Sequence, residues 1–129
     1  MINKYLQTRY VKGGRGPVDF DCWGIVRLAR HELFGLPLLP SFDGISPDDK
    51  PALTKACLAV RDSKGFEPVL PQDGAIATAW RARLCVHVGL VVEADSRLWV
   101  LETDEATGPC LTDLGKFESR YTKVIYYAD

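Results

Sequence analysis

The sequence lacks any long apolar run. No stretch approaches the roughly 20 apolar residues that a membrane-spanning helix requires. The opening residues, MINKYLQTRY, also lack the apolar segment of a secretory leader. We therefore expect synthesis in the cytoplasm, no membrane span and no export by the general secretory route.

A dominant sign of charge is missing as well. Sixteen Lys and Arg residues stand against 17 Asp and Glu residues, and the formal net charge is −1. Both signs are scattered along the chain, whereas a nucleic-acid or anionic-membrane surface requires a basic patch. We therefore expect no nucleic-acid partner.

Patterns for metal binding and disulfides are equally scarce. The four cysteines are far apart and form no C-x-x-C pair: Cys22, Cys57, Cys85 and Cys110. Because no export signal favours oxidation, we interpret them as reduced thiols. Only two histidines are present, and the alternation of Cys85 and His87 could supply two metal ligands at most. The sequence therefore predicts no metal site.

The hydrophobic content of 47% is enough to build a single core, so we expect one compact domain over residues 1–129. An apolar helical repeat begins after Asp21 and stops at Gly35, and a second lies between SPDD and Gly65. The segments AIATAW, CVHVGLVVE, RLWVLET and KVIYYA then have strand composition. This order predicts an α+β fold, with N-terminal helices packed on a central antiparallel β-sheet.

Cys22 directly follows the predicted N-cap Asp21, in the first turn of the first helical repeat. The free N–H groups and the positive end of the helix dipole favour a thiolate at such a position. Cysteines on apolar helix faces are more often small core residues, however, and periodicity alone favours that interpretation. Cys22 is thus a candidate nucleophile with a packing alternative.

His87 lies in an otherwise apolar strand and is the candidate base for this thiol. A hairpin centred near Ala94 or Asp95 would set His87 opposite Glu102, whose carboxylate could orient the imidazole. A lone histidine in a strand, such as His87, is more often a packed residue than a base. A lone carboxylate such as Glu102 is more often exposed to solvent. Asp104 is close enough in sequence to take the orienting role instead.

Four phrases, in order, carry a resemblance to a known family: TRYVKGG, FDCWGIVRLARHELFGLPL, LPQDGAIA and HVGLVV. From Tyr10 to about Asp113 the chain resembles the NlpC/P60 family of papain-like cysteine peptidases. The phrase DCWG, where cell-wall enzymes read DCSG, resembles in particular members among phage and prophage tail proteins. The resemblance implies a papain-like α+β fold with the nucleophile at a helix N-terminus and the base on a neighbouring strand.

Matched position by position, the resemblance makes Cys22 the nucleophile and His87 the base. Tyr10 matches the tyrosine of the RYxxGG stretch, which lies beside the nucleophile and holds substrate or an oxyanion. Asp21 and Trp23, on either side of the cysteine, join Tyr10 as expected substrate-binding or oxyanion residues, although Asp21 is physically a helix cap first.

The third catalytic position departs from the commonest family pattern. Family members usually carry a histidine on the next strand, whereas WVLETDEATG contains none. Alignment leaves Val100 and Glu102 both open. Hairpin pairing and chemistry favour Glu102, since a carboxylate can accept a hydrogen bond from an imidazole and valine cannot.

The resemblance implies hydrolysis of an amide bond in the peptide stem of peptidoglycan, typically between D-glutamate and a diamino acid, without a cofactor. The implied partners are that peptide and phage tail proteins, and delivery to the cell wall would be by a phage particle, lysis or specialised secretion. Two alternatives stay open. One is a structural module that binds wall peptides or a tail partner and has lost turnover, and the other is a cysteine hydrolase with a different substrate.

Overall fold

The computed structural model describes residues 2–129, which form four helices and eight strands. The helices are α1 (Ile2–Leu6), α2 (Cys22–Phe34), α3 (Lys50–Lys64) and α4 (Leu114–Ser119). The strands are β1 (Arg9–Tyr10), β2 (Asp19–Phe20), β3 (Glu67–Val69), β4 (Ile76–Arg81), β5 (Leu84–Ala94), β6 (Arg97–Asp104), β7 (Gly108–Asp113) and β8 (Lys123–Ala128). The two long helices precede the long strands, and the organisation is α+β, as predicted.

Six strands form one antiparallel sheet in the order β3-β8-β4-β5-β6-β7. The four strands that the sequence predicts are β4, β5, β6 and β8. The sheet is wider than predicted because β3 and β7 extend its two edges, and their prolines and glycine, Pro68, Pro109 and Gly108, are poor strand formers. The predicted first helix, α2, is also preceded by α1 and by a short parallel pair, β1 and β2.

Caps fix the ends of both long helices. Asp21 caps α2 by accepting a hydrogen bond from the Gly24 N–H at 2.8 Å, and the helix ends at Gly35 with a left-handed φ of 65°. Asp49 caps α3 in the same way, at 3.1 Å from the Ala52 nitrogen. The longest helix, α3, has 15 residues, and no helix within residues 2–129 is both long and apolar enough to cross a bilayer.

The sheet buries side chains on both faces. One face packs on α2 and α3, where Leu90 and Leu101 meet Ile25 in the larger core cluster. The other face packs on α4, where Val91 and Phe117 belong to a second cluster. Because neighbouring residues of a strand point to opposite faces, the apolar run of β5 serves both cores. Each fully buried aliphatic side chain contributes about 1.5–3 kcal/mol to the free energy of unfolding.

Candidate active site

Cys22 is the first residue of α2 and lines an open cleft of about 330 Å³. The N-cap Asp21 fixes the helix start, so the thiol lies where the free N–H groups of the first turn concentrate positive potential. Its side chain is 3% exposed overall. Cys22 is therefore both packed in the core and open to the cleft, and the two sequence interpretations are not exclusive.

His87 reaches the same cleft from β5, next to a β-bulge. In the pairing of β4 with β5, Ala79 faces His87 and Trp80 faces Cys85, so Val86 is the extra residue. Bulges of this kind redirect neighbouring side chains. Cys85 stays in the core while His87 points to the cleft, and these two residues therefore do not form a pair of metal ligands.

Glu102 is the hydrogen-bond partner of His87, at 2.9 Å between Nε2 and Oε1. The route to this contact differs from the predicted one, because the hairpin register pairs Ala94 with Arg97 and Leu90 with Leu101. Continued by one residue, that register places Glu102 beside Gly89, diagonal to His87 rather than directly opposite. Diagonal neighbours share a face of the sheet, so the long carboxylate side chain still reaches the ring.

Two further side chains hold Glu102, which is 1% exposed. An Arg120 nitrogen donates to Oε1 at 2.7 Å, and the Thr112 hydroxyl donates to Oε2. Burial alone would raise the pKa of Glu102, but the hydrogen bonds from His87, Arg120 and Thr112 outweigh it and lower the pKa to about 2. Glu102 is consequently an ionised carboxylate inside the protein.

Asp104, the alternative orienting residue, serves the turn between β6 and β7. Its Oδ1 accepts hydrogen bonds from the Ala106 and Thr107 backbone nitrogens, each at 2.9 Å. Ligand-type atoms of His87, Glu102 and Asp104 nevertheless lie within 4.8 Å of one another. A cation held there would compete with Arg120 for Glu102, so this donor set suits proton transfer better than metal binding.

The charge state of His87 follows from its surroundings. Burial lowers the pKa of His87, but hydrogen bonds to Cys22 and Glu102 outweigh this effect and raise the pKa to about 9. Since Nε2 is bonded to Glu102, Nδ1 is the ring nitrogen left for Cys22. The imidazole thus shares the cleft with the thiol and is hydrogen-bonded to the carboxylate, an arrangement in which it can act as a base toward the thiol.

Two aromatic rings pack against His87 and were not identified from the sequence. Tyr121 stacks on the imidazole with ring centroids 6.3 Å apart, and Phe117 lies at 6.1 Å. Arg120, between them in sequence, binds Glu102. The sequence does not reveal these residues because α4 has only six residues, which is too short for a helical periodicity of apolar positions.

Tyr10 lines the cleft beside Cys22. Its strand β1 runs parallel to β2 and pairs Tyr10 with Phe20, two residues before the cysteine. Burial, with the negative charges of Cys22 and Asp21, raises the pKa of Tyr10 to about 12. The phenol therefore keeps its proton at neutral pH and can donate a hydrogen bond into the cleft.

Two glycines allow this close arrangement. A Cβ on Gly24 would lie 2.1 Å from the Gly14 carbonyl oxygen, and one on Gly14 would lie 2.6 Å from the Asp19 backbone. The Asp21 nitrogen also donates to the Gly14 oxygen at 3.2 Å. The second glycine of TRYVKGG and the final glycine of DCWG are therefore explained by backbone contact around the helix start, whereas Gly13 has a left-handed φ of 78°.

Asp21 and Trp23, the other expected substrate-binding residues, are placed away from the open cleft. Asp21 is 2% exposed and binds the Gly13 nitrogen at 3.1 Å and Arg15 at 2.7 Å, besides capping α2. The Trp23 indole N–H donates to the Pro40 oxygen at 2.9 Å. Both residues line a second, apolar cavity, to which Cys22 also contributes. Their contacts indicate that they support the helix start.

The rim of the cleft carries charges of both signs. Lys50 and Arg81 line it together with Asp48, Asp104 and Glu105. Outside this group, Lys12 bridges two loops, with its Nζ 2.6 Å from Asp48 and 3.5 Å from Glu105. The cleft is therefore polar at its rim, in contrast to the second, apolar cavity that Cys22 also lines.

No protein-family model matches the chain, and no curated protein matches it either.

Proposed function

We propose that the chain is a cysteine hydrolase in which Cys22 is the nucleophile, His87 the base and Glu102 the orienting residue. The observation that carries this proposal is the position of His87, which lines the same open cleft as Cys22 and is hydrogen-bonded to Glu102 at 2.9 Å. A nucleophile, a base and a third group that orients the base are the parts that such catalysis requires.

We further propose that the fold is papain-like and that the chain is of NlpC/P60 type. Support comes from the phrases TRYVKGG, DCWG and HVG, together with a helix that begins at Cys22 and packs on the sheet through β5. Glu102 takes the position where that family usually has a histidine, and its hydrogen bond to His87 performs the same orienting task.

The proposed reaction proceeds through an acyl-enzyme. His87 takes the proton of Cys22, and the sulfur attacks the amide carbonyl carbon. The backbone N–H of Cys22 and the Tyr10 hydroxyl stabilise the oxyanion, a contribution of about 10²–10³-fold in rate for each such donor. His87 then gives its proton to the leaving amine. Water, activated by the same imidazole, hydrolyses the thioester and restores the thiol.

The proposed substrate is the peptide stem of peptidoglycan, at the bond between D-glutamate and a diamino acid. This choice rests on the family resemblance, and the mixed charge of the cleft rim suits a peptide that carries both carboxylates and amines. The DCWG phrase further supports a role in a phage or prophage tail, where the protein would open the wall locally or contact tail proteins.

The test is digestion of purified muropeptides, with fragments identified by mass spectrometry. We expect cleavage by the wild type and loss of more than about 10³-fold in rate for Cys22→Ala and for His87→Ala. The matched controls are Cys57→Ala and His31→Ala, which change the same residue types outside the cleft and retain activity. Cleavage that survives Cys22→Ala would overturn the mechanism.

A second measurement separates the mechanism from the substrate. At pH 6 a small thiol reagent should alkylate Cys22 before Cys57, and His87→Ala should abolish that preference. Preferential labelling without muropeptide cleavage would leave the activated thiol standing and reject this substrate. Tight muropeptide binding without cleavage and without labelling preference would favour the binding-module alternative.

A further inference from the structure

Glu102 poses an electrostatic problem that a neutral third residue would not. It is 1% exposed and ionised, and an isolated buried carboxylate is strongly disfavoured. Facing His87 alone, its charge would raise the pKa of the imidazole further and hinder transfer of the imidazolium proton to the leaving amine. Something must therefore offset this charge without removing the hydrogen bond.

Arg120 has the position to do so. Its nitrogen lies 2.7 Å from Glu102 Oε1, the oxygen that also accepts from His87. The Thr112 hydroxyl occupies Oε2. With both oxygens engaged, the carboxylate cannot rotate freely, and Oε1 is shared between one cation and the imidazole.

Arg120 is itself held by the aromatic residues that pack against His87. Its guanidinium lies 5.1 Å from the Phe117 ring and 5.3 Å from the Tyr121 ring, and it donates to the Tyr121 hydroxyl at 3.1 Å. The end of α4 thus contacts the base through its rings and the orienting carboxylate through its arginine.

We propose that Arg120 is a positioning residue that acts on His87 through Glu102, by neutralising the buried carboxylate and fixing its direction. The proposal rests on the proposed function of the Cys22–His87 pair. The Arg120–Glu102 pair presents to the imidazole a hydrogen-bond acceptor whose negative charge is partly offset. Replacement of the usual histidine by a glutamate therefore requires the arginine.

Other charged and titratable side chains near His87 also influence its titration. The titratable and charged side chains that contact it or line the same cleft are Cys22 from α2, Glu102 and Asp104 from β6, Arg120 and Tyr121 after α4, Arg81 from β4, Lys50 and Asp48 at the start of α3, Glu105 after β6, and Tyr10 from β1. Since only Arg120 donates to Glu102 from this cationic set, its removal should act mainly through that carboxylate.

The test is an NMR titration of the His87 imidazole, which needs no substrate and uses His31 as an internal reference. We expect Arg120→Met to raise the His87 midpoint by about 0.5–1 pH unit, because the negative charge of Glu102 is no longer offset. In a Glu102→Gln background, the same substitution should shift the midpoint by less than a third of that amount. Arg120→Lys, which keeps the charge, should restore most of the wild-type value.

The matched control is Arg97→Met. Arg97 also pairs with a carboxylate, Asp113 at 2.6 Å, and lies over the Trp99 ring at 4.6 Å, but it is outside the cleft. Its loss should leave the His87 midpoint unchanged. If Arg120→Met does not fold, Arg120→Gln removes the charge with less change in polarity and serves in its place. No shift, or equal shifts in both backgrounds, would overturn the proposal.

Turnover gives the second readout where a substrate is cleaved. Arg120→Met should lower kcat by about 10- to 100-fold with little change in KM, and should move the alkaline limb of the pH profile upward. A purely structural role would lower the rate equally at every pH. Failure of muropeptide cleavage in the wild type would count against the proposed function, while the NMR comparison would still decide the role of Arg120.

Discussion

The imidazole of His87 and the carboxylate of Glu102 form a buried hydrogen bond of 2.9 Å between β5 and β6. The two residues are diagonal neighbours on one face of the sheet, next to a bulge at Val86 and beyond the last paired residues of the hairpin. The backbone pairing of β5 with β6 thus ends before this position, which leaves space for the two side chains to meet. This arrangement connects the hairpin to the thiol at the start of α2.

Removal of the Glu102 carboxylate is predicted to affect both rate and stability. Glu102→Ala should lower kcat/KM by about 10²-fold or more, because the imidazole loses the group that orients it. The free energy of unfolding should fall by about 1–3 kcal/mol, since Arg120 and Thr112 lose their partner. Muropeptide kinetics and urea unfolding measure the two effects.

Asp104→Asn is the matched control for this experiment. It removes a neighbouring carboxylate charge of the same strand while keeping a side-chain oxygen for the turn between β6 and β7. We expect its rate to stay within about threefold of the wild type. A loss as large as that of Glu102→Ala would assign the orienting role to Asp104 instead.

The sequence predicted what local patterns determine. Asp21 and Gly35 mark the two ends of α2 because capping and left-handed backbone are local preferences. The strands β4, β5, β6 and β8 were identified from β-branched and aromatic composition. The contact of His87 with Glu102 was also predicted, although the register differs by two residues from the expected one.

What could not be predicted depends on tertiary packing. The bulge at Val86 has no turn residue to mark it, and α4 is too short for a periodic signal. Arg120 and Glu102 are separated by 18 residues and meet only because β7 and α4 fold back over β6. The residues that surround His87 therefore could not be identified from the sequence, whereas His87 itself could.

Loss of the Tyr10 hydroxyl is predicted to slow the reaction without unfolding the protein. Tyr10→Phe should lower kcat by about 10²- to 10³-fold, because one donor to the oxyanion is lost while the ring still packs. The matched control is Tyr5→Phe, whose hydroxyl bonds Glu32 outside the cleft and should leave kcat unchanged. An unchanged kcat for Tyr10→Phe, measured at saturating substrate, would remove Tyr10 from the mechanism.

A methyl group at Gly24 is predicted to disrupt the start of α2. Its Cβ would lie 2.1 Å from the Gly14 oxygen, so the loop before Cys22 must move, and Gly24→Ala should cost about 1–3 kcal/mol in the free energy of unfolding. Urea unfolding measures this cost, and alkylation of Cys22 reports the accompanying change at the thiol.

Gly115→Ala provides the comparison, since the added Cβ would meet its nearest neighbour, Asp113 Oδ1, at 3.4 Å inside α4. Alanine is the better helix former, so stability should be unchanged or slightly higher. Equal stability of the Gly24→Ala and Gly115→Ala proteins would contradict the close contact between DCWG and the GG stretch.

The last prediction concerns pH and stability. The folded-state pKa of His87, about 9, exceeds its ordinary value of 6.5, so its stabilising effect is fully present below pH 6.5 and is lost as the pH rises through 9. The pKa of Glu102 is lowered from 4.5 to about 2, so its effect is present above pH 4.5 and is lost as the pH falls through 2. The pair therefore stabilises the fold most between about pH 4.5 and 6.5.

Urea unfolding at pH 6 and pH 9.5 tests the alkaline side of this window. The wild type should lose up to about 3 kcal/mol between the two values through His87, since each pKa unit corresponds to about 1.4 kcal/mol. His87→Asn should lose much less over the same interval. His31→Asn, which removes an exposed histidine, should behave like the wild type. Because the other titrating groups are common to all three proteins, equal losses in all of them would show that the imidazole is not held as an imidazolium between Cys22 and Glu102.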